Sequence, residues 1–181
     1  DGLSAHLTVQ AGVARTFQTT RLFARWTLAA NLAVAAARPG RDAGEGGTPA
    51  LDQAQLLAIT GLEGRGPALC TSLSNSEQRL AMIAVALATH PQLLLLDEPA
   101  VGMSPPEAAE LARIIRRIRG ELGVTVIIVE HNMHFMMGLA DRIMAMNAGR
   151  KLAEGTPGEV RRNPDVIAAY LRSEEHTSEL Q

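Results

Sequence analysis

The chain has 181 residues, 46% of them apolar, and a formal net charge of −2, so it can bury a domain-sized core but offers no basic surface for nucleic acid. The last ten residues carry that whole charge, which leaves the rest of the chain neutral. No apolar run reaches the roughly 18 residues that a membrane-spanning helix needs, and a single cysteine, Cys70, excludes an internal disulfide.

Helices are predicted in the first half of the chain. Thr27 is a favourable N-cap for a helix over 27–37, and a second helix is predicted near 51–59. The stretch 38–49 between them is rich in glycine and proline, which predicts a loop. Residues 1–12, which come first, are assigned no helix or strand.

A longer apolar helix is predicted over about 77–89. Ser74 and Asn75 precede it and are favourable N-cap residues, while Glu77 suits the first turn. The N–H groups at a helix N-terminus, with hydroxyl groups beside them, can bind an anion. An ordinary capped helix explains the same residues, so this segment alone leaves both interpretations open.

Four leucines at 93–96 lead directly into Asp97, Glu98 and Pro99. The run has the length of a buried strand, and a strand that ends in carboxylates delivers them to the sheet edge where open α/β folds bind ligands. At such an edge Asp97 can hold Mg²⁺, usually through water, and Glu98 can act on water as a general base. A buried strand that stops where charge begins is the alternative.

A second apolar strand, 124–129, is followed by Glu130 and His131. Between the two strands, 106–122 has apolar residues at helical spacing, which predicts an amphipathic helix. Strand, helix and strand form a βαβ unit with parallel strands, whose carboxyl ends open on one edge. His131 is therefore expected near Glu98, where its imidazole could donate to a phosphate oxygen. A capping or surface histidine is the alternative.

The remainder of the chain is predicted to contain two strands, over 142–146 and 151–154, and two short helices, over 157–162 and 164–171. Residues 172–181 continue no apolar pattern and look like translated sequencing-adapter oligonucleotide. They are expected to be non-native and to form no part of the fold. A polar C-terminal tail is the alternative.

Taken together, five segments resemble the motifs of the ATP-binding subunit of an ABC transporter. They match the Q-loop glutamine, the signature loop, the Walker B pair, the D-loop and the switch histidine, in this order: Gln18, 73–79, Asp97 with Glu98, 101–105 and His131. The resemblance covers 2–171. It implies an α/β fold, a partial P-loop NTPase (ABC ATPase) core with a mostly parallel sheet and an inserted helical subdomain.

The same resemblance implies a division of the chain. Residues 1–171 would form a partial ABC ATPase domain, and 172–181 would lie outside it. Within that domain, about 27–90 would be the helical subdomain with the signature, 91–155 the α/β core and 156–171 the C-terminal helices.

Site roles carried over from the family concern ATP and Mg²⁺. Three residues would be catalytic. Glu98 would orient the attacking water, His131 would hold the terminal phosphate, and Gln18 would sense Mg²⁺ and the water. Asp97 would hold Mg²⁺, together with Gln18 and partly through water. The residues that would cap the phosphate bound to a partner subunit are Ser74, Asn75, Ser76 and Glu77.

Two kinds of protein partner are implied by the resemblance. One is a second ABC ATPase subunit, identical or different, facing this one head to tail. The other is a membrane permease at the cytoplasmic face of the bacterial inner membrane, contacted in the Q-loop region by Arg21, Leu22, Phe23 and Trp26. A local core cluster is the alternative for these four side chains.

Sequence detail also bears on the solute. Segments 15–23, 129–133 and 163–171 look like those of branched-chain amino acid importers, and related ATPases for urea or lipopolysaccharide share parts of them. The implied function is an ATP-hydrolysing motor subunit for branched-chain amino acid import.

Two departures from the family pattern concern activity. The sequence has no Gly-x-x-x-x-Gly-Lys-Ser/Thr loop, and its one lysine is Lys151, so the chain is expected to be a fragment that binds ATP poorly and is inactive alone. Ser76 stands in the signature where glycine is usual. A degenerate subunit that docks without hydrolysing ATP is therefore the alternative, and a non-transport ABC protein is a more distant one.

Overall fold

The computed structural model describes residues 2, 4–17, 21–37 and 51–169. The chain divides into two compact units, 1–131 and 132–181. The finer division into helical subdomain, α/β core and C-terminal helices stays a prediction. Within the described residues, every helix is too short or too polar to cross a bilayer.

Within its described residues, the first unit combines a parallel sheet with five α-helices and a short 3-10 helix, Cys70–Ser72. Its helices are α1 (Ala5–Gln10), α2 (Leu28–Ala36), α3 (Gln53–Ile59), α4 (Asn75–Leu87) and α5 (Pro105–Leu122). Its strands are β1 (Val13–Arg15), β2 (Leu93–Asp97) and β3 (Thr125–Val129). The strand order is β1-β2-β3, all parallel, which confirms the predicted βαβ unit formed by β2, α5 and β3.

Burial explains why β2 and α5 form where the sequence predicts them. In β2 the alternate residues Leu94 and Leu96 are fully buried. Leu111, Ile114 and Ile118 of α5 are also fully buried, and their spacing of three or four residues places them on one helix face. Apolar burial of this kind supplies most of the folding free energy.

Three helices of this unit start at residues with capping side chains, of which Thr27 and Ser74 were predicted as caps and Asp52 was not. Thr27 accepts a hydrogen bond from Ala30 N at 3.1 Å and begins α2. Asp52 begins α3, and Ser74 begins α4, so that α4 starts at Asn75, two residues earlier than predicted. The predicted loop over 38–49 lies outside the described residues.

Two elements near the start of the chain were not predicted. The helix α1 is capped by Ser4, whose Oγ accepts from Leu7 N. The strand β1 pairs with β2 in the register Val13 with Leu93, and Thr16 N donates to Leu95 O at 2.9 Å. Three residues are too few to show an alternating pattern in the sequence. The strand β1 forms because it pairs with β2, which lies far along the chain.

The second unit contains an antiparallel hairpin and short helices. They are α6 (Met133–Met137), β4 (Ile143–Asn147), β5 (Arg150–Gly155), α7 (Pro157–Arg161) and a helix over 164–169. The hairpin turns at Ala148 and Gly149, both with positive φ, as a two-residue type I′ turn requires. Its core is formed by Ile143, Ala145, Val160 and Val166. Residues 172–181 lie outside the described part of the chain.

Candidate functional site

Carboxylate and imidazole side chains meet at the carboxyl edge of the sheet. Asp97 is the last residue of β2, level with Val129 at the end of β3. His131 Nδ1 lies 3.5 Å from Glu98 Oε1, with the two side chains 71% and 29% exposed. The predicted proximity of Glu98 and His131 is therefore confirmed. The exposed fractions show that both groups are accessible to a ligand.

The backbone of Glu98 is held in an unusual conformation. Its φ is +46°, in the left-handed region that costs a non-glycine residue roughly 1–2 kcal/mol. Glu98 N donates to Val129 O at 2.9 Å, and Arg79 Nη1 of α4 donates to Glu98 O at 3.2 Å. Contacts from two other elements thus fix the residue where the chain leaves the sheet, as strained site residues require.

Asp97 is paired with a cation from the neighbouring strand. Arg15 Nη2, at the end of β1, lies 3.0 Å from Asp97 Oδ2. This contact shows that the Asp97 carboxylate is accessible to positive charge, and a divalent cation prefers the same oxygen donors. Among the described residues no cluster of three or more His, Cys, Asp or Glu side chains could hold a metal ion.

Glu130 organises this edge, and the sequence analysis assigned it no role. Its side chain is 1% exposed. Its Oε1 accepts from Ala100 N at 2.9 Å, and its Oε2 accepts from His131 N at 3.1 Å. One buried carboxylate therefore joins the loop that follows β2 to the loop that follows β3. An acidic residue directly after an apolar strand was the available signal.

The start of α4 forms a reciprocal capping box. Glu77 N donates to Ser74 Oγ at 3.2 Å, and Ser74 N donates to Glu77 Oε2 at 2.8 Å. The Ser74 N–H, and secondly the Arg65 guanidinium, hold the pKa of Glu77 below its usual value. Because its carboxylate is engaged here, Glu77 fixes the helix start, whereas Ser74 and the first-turn N–H groups of α4 are the donors suited to an anion.

Glu107 closes the capping box at the start of α5. It accepts from Ser104 N at 2.8 Å and from Ser104 Oγ at 2.6 Å. These donors, led by the Ser104 hydroxyl, lower the pKa of Glu107 from 4.5 to about 2, and the Ser76 hydroxyl contributes a smaller part of the shift.

The lowered pKa of Glu107 predicts an acid-dependent loss of stability. A carboxyl group whose folded pKa is depressed stabilises the fold above its unfolded pKa and ceases to do so as the pH falls through the folded value. We expect the difference in free energy of unfolding between wild type and Glu107→Gln to be constant above pH 4.5 and to shrink toward pH 2. Urea titrations of both chains across this range measure it, and a difference independent of pH would contradict the assignment.

A stacked pair of aromatic rings is exposed on the first unit. Phe23 and Trp26 stack with centroids 4.8 Å apart, and they are 55% and 47% exposed. The Arg21 guanidinium lies 4.4 Å from the centroid of the Phe17 ring. Exposure of both stacked rings contradicts the alternative of a local core cluster. Gln18 lies outside the described residues.

Comparisons with known proteins identify the family. The profile of the family described as "ABC transporter" matches residues 4–101. LivG of Salmonella typhimurium, a high-affinity branched-chain amino acid transport ATP-binding protein, is 39% identical over 94% of this chain and 72% of its own length. The chain belongs to the ABC transporter family.

Further matches agree with this membership of the ABC transporter family. A second profile, "Branched-chain amino acid ATP-binding cassette transporter", matches residues 150–171. BraF of Pseudomonas aeruginosa, which carries the same description as LivG, is 38% identical over 94% of this chain and 71% of its own length. A crystal structure of an ATP-binding cassette in its ADP conformation superposes with a TM-score of 0.75 at 24% identity, over 91% of this chain and 70% of that one, which supports the fold.

Within the ABC family fold, the structure brings most of the sequence-predicted site residues into two groups. Asp97, Glu98 and His131 share the sheet edge. The signature residues Ser74, Asn75, Ser76 and Glu77 lie at the start of α4. The two groups are linked by the hydrogen bond from Arg79 of α4 to the Glu98 carbonyl. Their roles toward ATP and Mg²⁺ are proposals, and the donor chemistry of both groups fits these ligands.

Proposed function

We propose that this chain acts as the ATP-hydrolysing motor subunit of an ABC importer for branched-chain amino acids. The observation that carries the proposal is the approach of His131 to Glu98 at 3.5 Å, beside Asp97 on the same sheet edge. The solute is proposed from the descriptions of LivG and BraF and from the profile matched by 150–171.

Chemistry at the sheet edge would divide among three side chains. ATP with Mg²⁺ supplies the phosphoryl group and most of the charge neutralisation when bound. The Asp97 carboxylate would hold the cation in the place where it now holds Arg15. Glu98 would accept a hydrogen bond from the attacking water and orient it, while His131 would donate to the terminal phosphate. Positioning and charge stabilisation, rather than covalent chemistry by the protein, carry such transfers.

A second ATPase subunit would complete the nucleotide site. Ser74, Ser76 and the N–H groups of Asn75 and its neighbours at the start of α4 would cap the terminal phosphate of a nucleotide held by the phosphate loop of that partner. Glu77 would contribute by fixing the helix start through Ser74. This arrangement gives the partner subunit a direct effect on the rate of hydrolysis.

The exposed aromatic pair Phe23 and Trp26, together with Arg21 and Leu22, would receive the membrane permease. Stacked aromatic rings provide a large, rigid apolar contact area at low cost in conformational entropy. The resemblance to ABC transporter subunits favours the permease as the protein that binds this aromatic pair. Peripheral attachment to the cytoplasmic face of the membrane follows from this contact.

Solute-stimulated ATP turnover tests the proposed function. The full-length gene product, reconstituted with its permease in vesicles, should release phosphate faster when leucine, isoleucine or valine is the transported solute. Urea supplied in the same assay is the matched control and should leave turnover at its basal rate. Stimulation by urea alone, or by none of these solutes, would contradict the proposed solute class.

A second candidate function, a docking subunit that does not hydrolyse ATP, is favoured by Ser76. The residue lies in the first turn of α4, so its backbone does not need the freedom of glycine. Its hydroxyl, however, is engaged with Ser74 Oγ at 3.1 Å. A side chain at this position also limits the approach of a phosphate to the helix N-terminus.

The substitution Ser76→Gly separates the two candidates. We expect it to raise the ATP turnover of the full-length gene product several-fold, because a phosphate can then approach the helix N-terminus closely. A several-fold increase corresponds to a decrease of about 1 kcal/mol or less in activation free energy. Phosphate release is the measurement, and Ser72→Gly, which lies outside α4, is the matched control. Equal turnover of Ser76→Gly and wild type would refute the explanation, and no turnover in either would favour the docking subunit.

A further inference from the structure

Asn31 lies at the centre of a buried polar cluster that the proposed mechanism does not use. The residue belongs to α2 and is 4% exposed. Its Oδ1 accepts from Phe23 N at 2.8 Å. Its Nδ2 donates to Phe23 O at 3.3 Å, to Thr27 O at 3.0 Å and to Cys70 Sγ at 3.3 Å. The amide therefore engages both backbone polar groups of Phe23, which is more than capping or packing of α2 requires.

Backbone hydrogen bonds extend this cluster between two segments, 23–28 and 66–72. Cys70 N donates to Trp26 O at 3.0 Å, Thr71 N donates to Ala24 O at 3.1 Å, and Leu28 N donates to Ala68 O at 2.9 Å. The segment that carries the exposed aromatic pair is thus tied to the segment that leads to Ser74, the N-cap of α4. Buried networks in which every member is bonded are rigid, because each broken bond leaves an unsatisfied polar group.

Cys70 is the residue of the segment 66–72 whose side chain contacts Asn31. The residue is 3% exposed, and burial raises the pKa of its thiol, so the sulfur remains uncharged at neutral pH. A sulfur atom is a weak acceptor. Replacement by serine would keep an acceptor at this position, whereas replacement by alanine would remove it.

We propose that Asn31 is a positioning residue that holds the Phe23–Trp26 pair in a fixed relation to the segment preceding α4, so that docking at the aromatic pair reaches the signature residues. The docking half of this inference rests on the proposed function; the positioning half does not. A merely structural Asn31 would stabilise α2 without controlling the aromatic pair, and this difference can be measured.

Trp26 is the only tryptophan of the chain, so its fluorescence reports on the aromatic pair directly. We expect Asn31→Leu to increase the amplitude of the fast phase in the anisotropy decay of Trp26 about twofold, because the backbone of Phe23 loses its partners. Cys70→Ala should give a smaller increase, and Cys70→Ser should match wild type. Val34→Ala, at a side chain of α2 that is 49% exposed, is the control and should also match wild type.

Unchanged anisotropy in a folded Asn31→Leu chain, or an equal change in Val34→Ala, would overturn the positioning role. Circular dichroism establishes whether each chain is folded. If Asn31→Leu does not fold, the comparison of Cys70→Ala with Cys70→Ser decides, and equal anisotropy in these two chains would overturn the proposal.

The effect on coupling is measured in the full-length gene product with its permease. The quantity measured is the ratio of permease-stimulated to basal ATP turnover. We expect Asn31→Leu to lower this ratio about tenfold and Cys70→Ala to lower it less, whereas Cys70→Ser should keep the wild-type ratio. Equal stimulation of wild type and Asn31→Leu would overturn the coupling role. Absence of stimulation in wild type would instead count against the proposed function, while the Trp26 measurement would still decide the positioning role.

Discussion

Replacement of Glu98 by glutamine should lower the ATP turnover of the full-length gene product by roughly 10²–10⁴-fold, the range in which a general base contributes. The carboxylate lies at the sheet edge, 29% exposed and 3.5 Å from His131 Nδ1, where it can reach both a water molecule and the histidine. Glutamine keeps the shape of the side chain but cannot accept a proton. Bound nucleotide should therefore persist as ATP. Phosphate release and the nucleotide retained after gel filtration measure the two effects.

The matched control for this substitution is Glu121→Gln in α5. Glu121 forms an exposed ion pair with Arg117, in the i,i+4 relation, and has no part in the sheet edge. Its replacement should leave turnover unchanged, since exposed pairs of this kind contribute little even to stability. Equal turnover of Glu98→Gln and wild type would exclude a catalytic role for Glu98 and would favour a subunit that docks without hydrolysing ATP.

Replacement of Glu130 by alanine should lower the free energy of unfolding by about 1–3 kcal/mol, because the partly buried Ala100 N–H loses its acceptor. The change also removes the bond from His131 N, which frees the loop after β3 from the loop after β2. Turnover should consequently fall together with stability. Urea unfolding and phosphate release on the same preparations measure both quantities.

Two companion substitutions sharpen the test of Glu130. Glu130→Gln retains an amide oxygen that can accept from Ala100 N, so it should cost less than Glu130→Ala. Glu121→Ala removes an exposed carboxylate of the same length and should change the free energy of unfolding by no more than about 0.5 kcal/mol. A Glu130→Ala chain as stable as Glu121→Ala would show that the buried carboxylate does not join the two loops.

The sheet edge could be predicted from the sequence because its elements carry strong local signals. Leu94 and Leu96 alternate within a run that ends in acids, and the helix between the strands has a regular apolar face. The parallel direction of the two strands then brings the ends of β2 and β3 to the same edge of the sheet, where His131 is expected near Glu98. The start of α4 was predictable for a similar reason, since Ser74 is a favourable cap.

What could not be predicted depends on pairing between distant residues. Arg15 reaches Asp97 only because β1 lies next to β2, and β1 itself is too short to be recognised. The network around Asn31 depends on the pairing of 23–28 with 66–72. An apolar strand is expected to be buried, so the sequence also does not predict that Ile127 and Val129 of β3 are 52% and 62% exposed.

The central claim is that Asp97, Glu98 and His131 form the edge at which the terminal phosphate of a nucleotide is held. A crystal structure of the full-length Glu98→Gln protein with ATP and Mg²⁺ tests it most directly. We predict the γ-phosphate within hydrogen-bonding distance of the His131 imidazole, the cation on the side of Asp97, and the start of α4 from a second subunit opposite. A nucleotide bound elsewhere, with His131 and residue 98 turned away from it, would contradict the account.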